Sequence, residues 1–342
     1  MLKLTRVLLV AGLMTAAAPS LWAQETKTET KTEPNAQPES SISVAKVKLL
    51  EPGAEPRKAL RYAPNVGDAT SITMRMKMAS ETEMNGQKVM KMTMPVTVMV
   101  IDIVIKEVRP NGDIAWDMTF TKAEVEPGED ANPMMVEGMR SAMKSMVGLK
   151  GSAVISNRGE TKESSFDLAQ NGNPMLKQLV DNATNTAGQL AAPLPEEAVG
   201  KGAKWEATST IKNMGMSIDQ TSTMTLKDLS EPAFTLDVAI SQNAANQQLK
   251  MPGAPAGAKI ELRKLTSSGT GVVKGSTSSI GPTDSNMKMT SKQDIALTIA
   301  GGPDDKPQLM SQHMDVEVTV TSAPTKAEPA KPDAPAIAPA KS

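Results

Sequence analysis

Cysteine is absent from all 342 residues, which excludes a disulfide framework, thiolate zinc sites, a thiol nucleophile and covalent haem attachment. One histidine, His313, leaves a Ser/His/acid triad a single candidate base and gives it no G-x-S-x-G or S-x-x-K box to work with. By strand alternation His313 belongs to a polar face. Three Trp, one Tyr and three Phe are too few for the aromatic girdles of a membrane-spanning barrel or for carbohydrate platforms. Charge of one sign is also missing: 37 Lys plus Arg stand against 38 Asp plus Glu, without a basic stripe, so nucleic acid is not an expected partner. No phosphate loop occurs either, since Gly200 and Gly202 precede Trp205 and a strand where dinucleotide binding needs a helix. These absences predict a non-enzyme without cofactor or metal. Asp113 with Asp117, and Glu124 with Glu126, have the spacing of carboxylate pairs for glycoside or cation chemistry, and equally that of a solvated strand face.

What is present begins with an address. Lys3 and Arg6 precede an apolar run from Val7 to Ala18 and then small residues, the pattern of a secretory signal peptide, residues 1–23, with cleavage after Ala23. Without cysteine there is no lipobox, and beyond the signal no apolar run is long enough to span a membrane as a helix. The chain therefore reads as exported, periplasmic or secreted. Residues 24–57, rich in Thr, Glu, Lys and Pro, read as a disordered tether, and residues 323–342 as an extended Pro/Ala/Lys tail.

Residues 58–322 carry the punctuation of antiparallel strands. Thr73 to Met78 alternates strictly and Asn85-Gly86 is a hairpin signal; Gln87 to Val108 then alternates longer than anywhere else. That run places Met90, Met92, Met94, Val96, Val98 and Val100 on one face, and its change of phase to Ile101, Ile103 and Ile105 predicts a β-bulge near Val100. Asn111-Gly112 turns into a third strand through Trp116 and Phe120. Methionines at 134, 135, 139, 143 and 146 predict a helix over 133–147, and Asn173-Pro174 opens a second over 173–191. Strands are expected at 204–218, 220–229, 234–241, 258–273, 285–299 and 309–321, with a loop over 246–257. The halves, 58–170 and 195–322, are loosely alike. The resulting fold is mainly β (α+β): a curved antiparallel sheet or incomplete barrel with two central helices against its concave face.

Methionine is the abundant residue, 25 in all. Met74, Met76 and Met78; Met90, Met92 and Met94; Met214 and Met216; and Met287 and Met289 form M-x-M sets on predicted strands, and Met139 and Met143 join them from the helix. Three readings stand: Met in place of Leu and Ile in a filled core; a pliable cavity for a lipid or other apolar ligand; and a Cu(I) site, since thioethers select soft metals.

The segments LRYAPNVGD (60–68), LKGSAVISNRGE (149–160) and PLPEEAVGKGAKWE (193–206), in that order among strand meanders, resemble a family of exported bacterial proteins of unknown function over roughly 58–322. That resemblance carries no activity to any residue. The layout is also similar to periplasmic lipoprotein carriers and mycobacterial lipid-binding lipoproteins, which implies an incomplete barrel enclosing acyl chains. The functional expectation is a lipid or apolar ligand between sheet and helices, with a structural module contacting an envelope protein as the alternative.

Overall fold

A computed structural model of the chain describes residues 41–128, 132–166, 190–213, 216–249, 258–299 and 307–325. Among them are one helix, α1 (Pro133–Lys144), and fifteen strands: β1 (Ser41–Ile42), β2 (Lys46–Glu51), β3 (Ala69–Met84), β4 (Gln87–Thr93), β5 (Val96–Val108), β6 (Ile114–Glu126), β7 (Lys150–Ile155), β8 (Thr161–Phe166), β9 (Lys204–Asn213), β10 (Met216–Ser230), β11 (Ala233–Ala244), β12 (Gln247–Leu249), β13 (Ala258–Ser276), β14 (Pro282–Ile299) and β15 (Gln308–Thr325). They form one open antiparallel sheet in the order β1-β9-β10-β11-β13-β14-β15-β3-β5-β6-β7-β8, with β2 on β9, β4 on β3 and β12 on β13. The two halves of the chain meet where the last strand pairs with an early one, from Met310 opposite Met84 to Thr325 opposite Ala69.

The sheet must curl. Trp205 of β9 and Trp116 and Ile155 of β6 and β7 share one core, although nine strand spacings of about 4.8 Å separate β9 from β7 in a flat sheet, roughly 43 Å. Curvature brings these edges together without pairing them. The gap is bridged by the two segments that the sequence marks as distinctive. The Lys58 and Val199 backbones exchange hydrogen bonds at 2.9 Å, Tyr62 N donates to Asn157 O at 2.8 Å, and Leu194 N donates to Arg158 O at 2.9 Å. Leu60, Tyr62, Leu194, Val199 and Trp205 are all buried there. Trp205 Nε1 donates to Pro193 O at 2.9 Å, and Tyr62 Oη to Ala192 O at 3.0 Å. Burial of that phenol, more than its hydrogen bond, dominates its titration and raises its pKa. Gly200 is required because a Cβ there would lie 1.8 Å from Ala54 O.

Several expectations need correction. Within the segment read as a tether, β2 pairs with β9 from Lys46 opposite Thr208; its half-buried Val47 and Leu49 pack on the core and outweigh its polar neighbours. The Gln87–Val108 run is two strands, because Pro95 has no N–H for the ladder and only Met94 N, bonded to Met78 O at 2.9 Å, bridges the break. The inward phase therefore changes at Pro95. Met90, Met92 and Met94 face the core side, whereas Val98 and Val100, opposite Arg75 and Thr73, face outward with Val96. A bulge does sit at Val100/Ile101, but its extra residue is Thr121 of β6, since Val100 pairs with Lys122 and Ile101 with Phe120. The strand expected at 204–218 ends at Asn213, which pairs back with Met216, and β12 lies within the expected 246–257 loop. Of the two expected helices, that at 173–191 lies outside the described residues except for its last two positions, Leu190 and Ala191, which are buried.

Helix α1 follows its sequence signals. Asn132 caps it, accepting from Met134 N at 2.9 Å, and Pro133 occupies the first turn where no N–H is needed. The Asn85-Gly86 turn has positive φ at both residues, 51° and 80°, the geometry of a two-residue hairpin.

Candidate functional site

Strand alternation sorts the inner face of the curled sheet into bands. On β3, Ile72, Met74, Ser80 and Thr82 are buried and Met76 and Met78 half-buried, while Lys77 between them is exposed. Following the register from Met78 across the sheet gives Val316, Met289, Gly269 and Ile240; from Met76 it gives Val318, Met287, Gly271 and Val238. Apart from buried Gly269, every one of these is only half-buried. The result is an apolar band across five strands that the described residues do not cover. Gly269 and Gly271 contribute no side chain, and Met287 fills the space over Gly271, its sulfur 2.3 Å from where a Cβ would stand.

Apolar packing flanks the band at one end and at the β4 side, and a polar strip borders it at the other end. At one end lies the core of Trp205, Trp116, Leu226 and Leu236. Toward the other runs a polar strip, in register from Ser80 through Met314, Ser291, Ser267 and Gln242 to Gln220. Four of its members pair: Ser267 Oγ donates to Ser291 Oγ at 2.8 Å and Gln242 Nε2 to Gln220 Oε1 at 2.7 Å, and in the next row Gln293 Nε2 donates to Gln312 Oε1 at 2.5 Å. Beyond the strip, Ile218, Leu249, Ile260, Leu262, Leu265 and Ile295 form a separate aliphatic cluster. At the β4 side stands α1, whose Val136 and Met139 pack on Met94 and Val125, with Met78, Met92, Met135 and Met143 around them.

The methionines expected to line a cavity thus divide. Met78, Met92, Met94, Met139 and Met143 come together in one cluster. Met76 lies beside them in the half-buried band, and Met90 sits next along the inner face, opposite Thr82. Met74 is buried in the main core, Met216 borders the far aliphatic cluster, and Met214 lies outside the described residues. Met287 and Met289, grouped by the sequence with the other M-x-M sets, are part of the band, and Val316, Val318 and the two glycines join them although the sequence alone did not group these with the methionines; the V-x-V run of β15 and the cross-strand register are the signals that assign them.

The candidate carboxylate pairs are structural. Asp113 accepts from Lys162 Nζ at 2.7 and 2.8 Å and from Asn111 Nδ2 at 2.9 Å. The Lys162 hydrogen bond, foremost, holds the Asp113 carboxyl below its ordinary pKa, against a desolvation that raises it. Asp117 lies 3.8 Å from Lys106, and Glu124 3.0 Å from Lys122. Glu126 is gripped by both terminal nitrogens of Arg75, which lowers its pKa and raises that of the guanidinium. Each carboxylate has its own cation, and none is left as a free acid/base couple. His313 is half-exposed, 3.6 Å from Asp315, on the polar face as expected. Among the described residues no three His, Asp or Glu side chains could hold a metal ion, and no helix is long and apolar enough to cross a membrane. A shallow pocket of about 280 Å³, lined by Glu55, Pro56, Arg57, Lys58, Lys201, Leu229 and Glu231, is away from the methionines.

No family model matches the chain, and no characterised protein sequence matches it. Among solved structures it is similar to the outer membrane protease OmpT of Escherichia coli (8% identity, 78% of this chain and 99% of that one, TM-score 0.24). It is also similar to OpdQ of Pseudomonas aeruginosa (7%, 75% and 98%, TM-score 0.19) and to OccK8 (OprE) of the same organism (8%, 77% and 100%, TM-score 0.16). These are outer membrane proteins, not lipid carriers, and at such scores the likeness carries no argument about this chain.

Proposed function

We propose that this is an exported, non-catalytic binding protein whose ligand is a lipid or another apolar molecule lying on the inner face of the sheet. The observation that carries the reading is the half-buried band of Met76, Met78, Val316, Val318, Met287 and Met289, set between packed cores and walled by the methionine face of α1. A closed core would bury these side chains; a solvated face would replace them with polar ones, as β3 does on its outer side with Arg75 and Lys77. Unbranched thioethers repack around acyl chains of differing length and unsaturation, which suits a carrier of mixed lipids. Export is supported by the N-terminal Lys3/Arg6 and apolar run, and the compartment proposed with it is the periplasm or the outside of the cell.

The test is native mass spectrometry and solvent extraction of gently purified full-length protein beside a Met289→Glu/Val316→Glu variant, which sets two carboxylates in the band. Bound lipid is expected on the wild type and should fall at least tenfold on the variant, with the circular dichroism of the sheet retained. Wild type free of lipid throughout would overturn the reading in favour of a structural envelope module with a filled interior.

A further inference from the structure

We propose a second site: a Cu(I) site built entirely from thioethers, where Met135, Met139 and Met143 of α1 face Met78, Met92 and Met94 of β3, β4 and the β4–β5 junction. Six of the eight side chains in this cluster are methionine and two are valine. If methionine merely stood in for leucine throughout, it would be spread evenly over the apolar packing. Instead, the far aliphatic cluster has two methionines among eleven side chains, the rest being leucine, isoleucine and alanine. The main core also buries Met74, Met118, Met146 and Met224, but among many Leu, Ile, Ala and aromatic side chains; only at this contact is methionine the majority residue.

The backbone sets the two arrays against each other. On α1 the three residues are spaced by four, so they form a single stripe on one side of the helix. On the strands, Met92 and Met94 are two apart and share a face, and the hydrogen bond from Met94 N to Met78 O makes Met78 their lateral neighbour. Met139 and Met94 are buried, and Met78, Met92, Met135 and Met143 half-buried, so a small ion can enter from the solvent side. The donor set is neutral and soft, with neither cysteine nor the chain's only histidine in it. Such a set selects Cu(I), or Ag(I) as its redox-silent analogue, over Zn(II) and over divalent ions that prefer oxygen or imidazole. The unbranched side chains can rotate their sulfurs inward without backbone movement.

Anaerobic titration of the full-length protein with Cu(I) against bicinchoninate reads the site through loss of the Cu(I)–chelator absorbance. One Cu(I) per chain is expected, with sulfur-only scattering in X-ray absorption, and unchanged binding in the presence of excess Zn(II). A Met78→Leu/Met92→Leu/Met139→Leu variant, near-isosteric and so still folded by circular dichroism, should bind at least tenfold more weakly; the control Met216→Leu/Met310→Leu should bind as wild type. No binding, nitrogen or oxygen ligands in the absorption spectrum, or equal binding by wild type and the triple variant would each overturn the site. Lipid retention by the triple variant is measured alongside, since leucine keeps the surface apolar; its loss or survival bears on the proposed ligand band and not on the metal.

Discussion

The closed end around Trp205 and the methionine wall beside α1 are both apolar contacts on the inner face of one sheet, yet they are made differently. The closed end uses rigid, space-filling groups tied by directional bonds: Trp205 to Pro193, Tyr62 to Ala192, and two loop segments laced by backbone hydrogen bonds. Every backbone polar group that enters this core has to find a partner, which fixes the geometry. Among the described residues the side-chain donor Trp116 Nε1 is buried without a partner. The methionine wall has no side-chain hydrogen bonds between its members and depends on side chains with three rotatable bonds and no branches. One region specifies the curl of the sheet; the other tolerates rearrangement. A binding surface belongs where rearrangement is tolerated, held by a frame that does not move.

That contrast can be broken by stability measurements. The largest effect is expected at the rigid end, where Trp205→Ala removes a fully buried ring and its hydrogen bond and should cost about 3–5 kcal/mol, read as a lower denaturant midpoint with unchanged slope. A cost below that of a methionine change would mean the two regions do not differ.

At the same end, Asp113→Asn should cost about 1–3 kcal/mol through the weakened Lys162 contact. The pH dependence has a definite sign. Because the folded carboxyl titrates below its ordinary value, its stabilisation is complete above about pH 4 and is lost as pH falls through and below that value toward the folded pKa. The wild type should therefore lose more stability than Asp113→Asn between pH 6 and pH 3, in paired denaturation curves. Parallel curves would remove Asp113 as the source.

A smaller effect, under about 1.5 kcal/mol, is expected for Met94→Leu with Met139→Leu, a volume-conserving change in the pliable wall; a larger loss would mean that the wall is packed as tightly as the closed end. The smallest is expected for Glu126→Gln, whose partner Arg75 lies with it on the solvated outer face, and its thermal midpoint should barely move.

Much of the fold was legible because alternation and turn chemistry are local. Thr73 to Met78, Asn85-Gly86 and the run from Met314 to Val320 announce their strands and the inward side of each. Less legible was anything set by a neighbour strand. Pro95 interrupts the ladder only because β3 runs alongside, and Thr121 bulges only relative to β5. Likewise β2, charged along half its length, becomes a strand because β9 offers it a partner. At the site, the M-x-M spacing places Met76, Met78, Met92 and Met94 inward, but which of them stay half-open depends on cross-strand register. The pairing of β15 with β3, far apart in the chain, is what lays Val316 and Val318 beside them.

The central claim, that the half-buried band holds an apolar ligand, is tested most directly by binding of a fluorescent fatty acid to delipidated full-length protein. Saturable binding that unlabelled fatty acid displaces, and that Met289→Glu/Val316→Glu weakens at least tenfold while the emission of the buried Trp116 and Trp205 reports an intact closed end, is the predicted result. Absence of saturable binding, or equal affinity in the variant, would contradict the account.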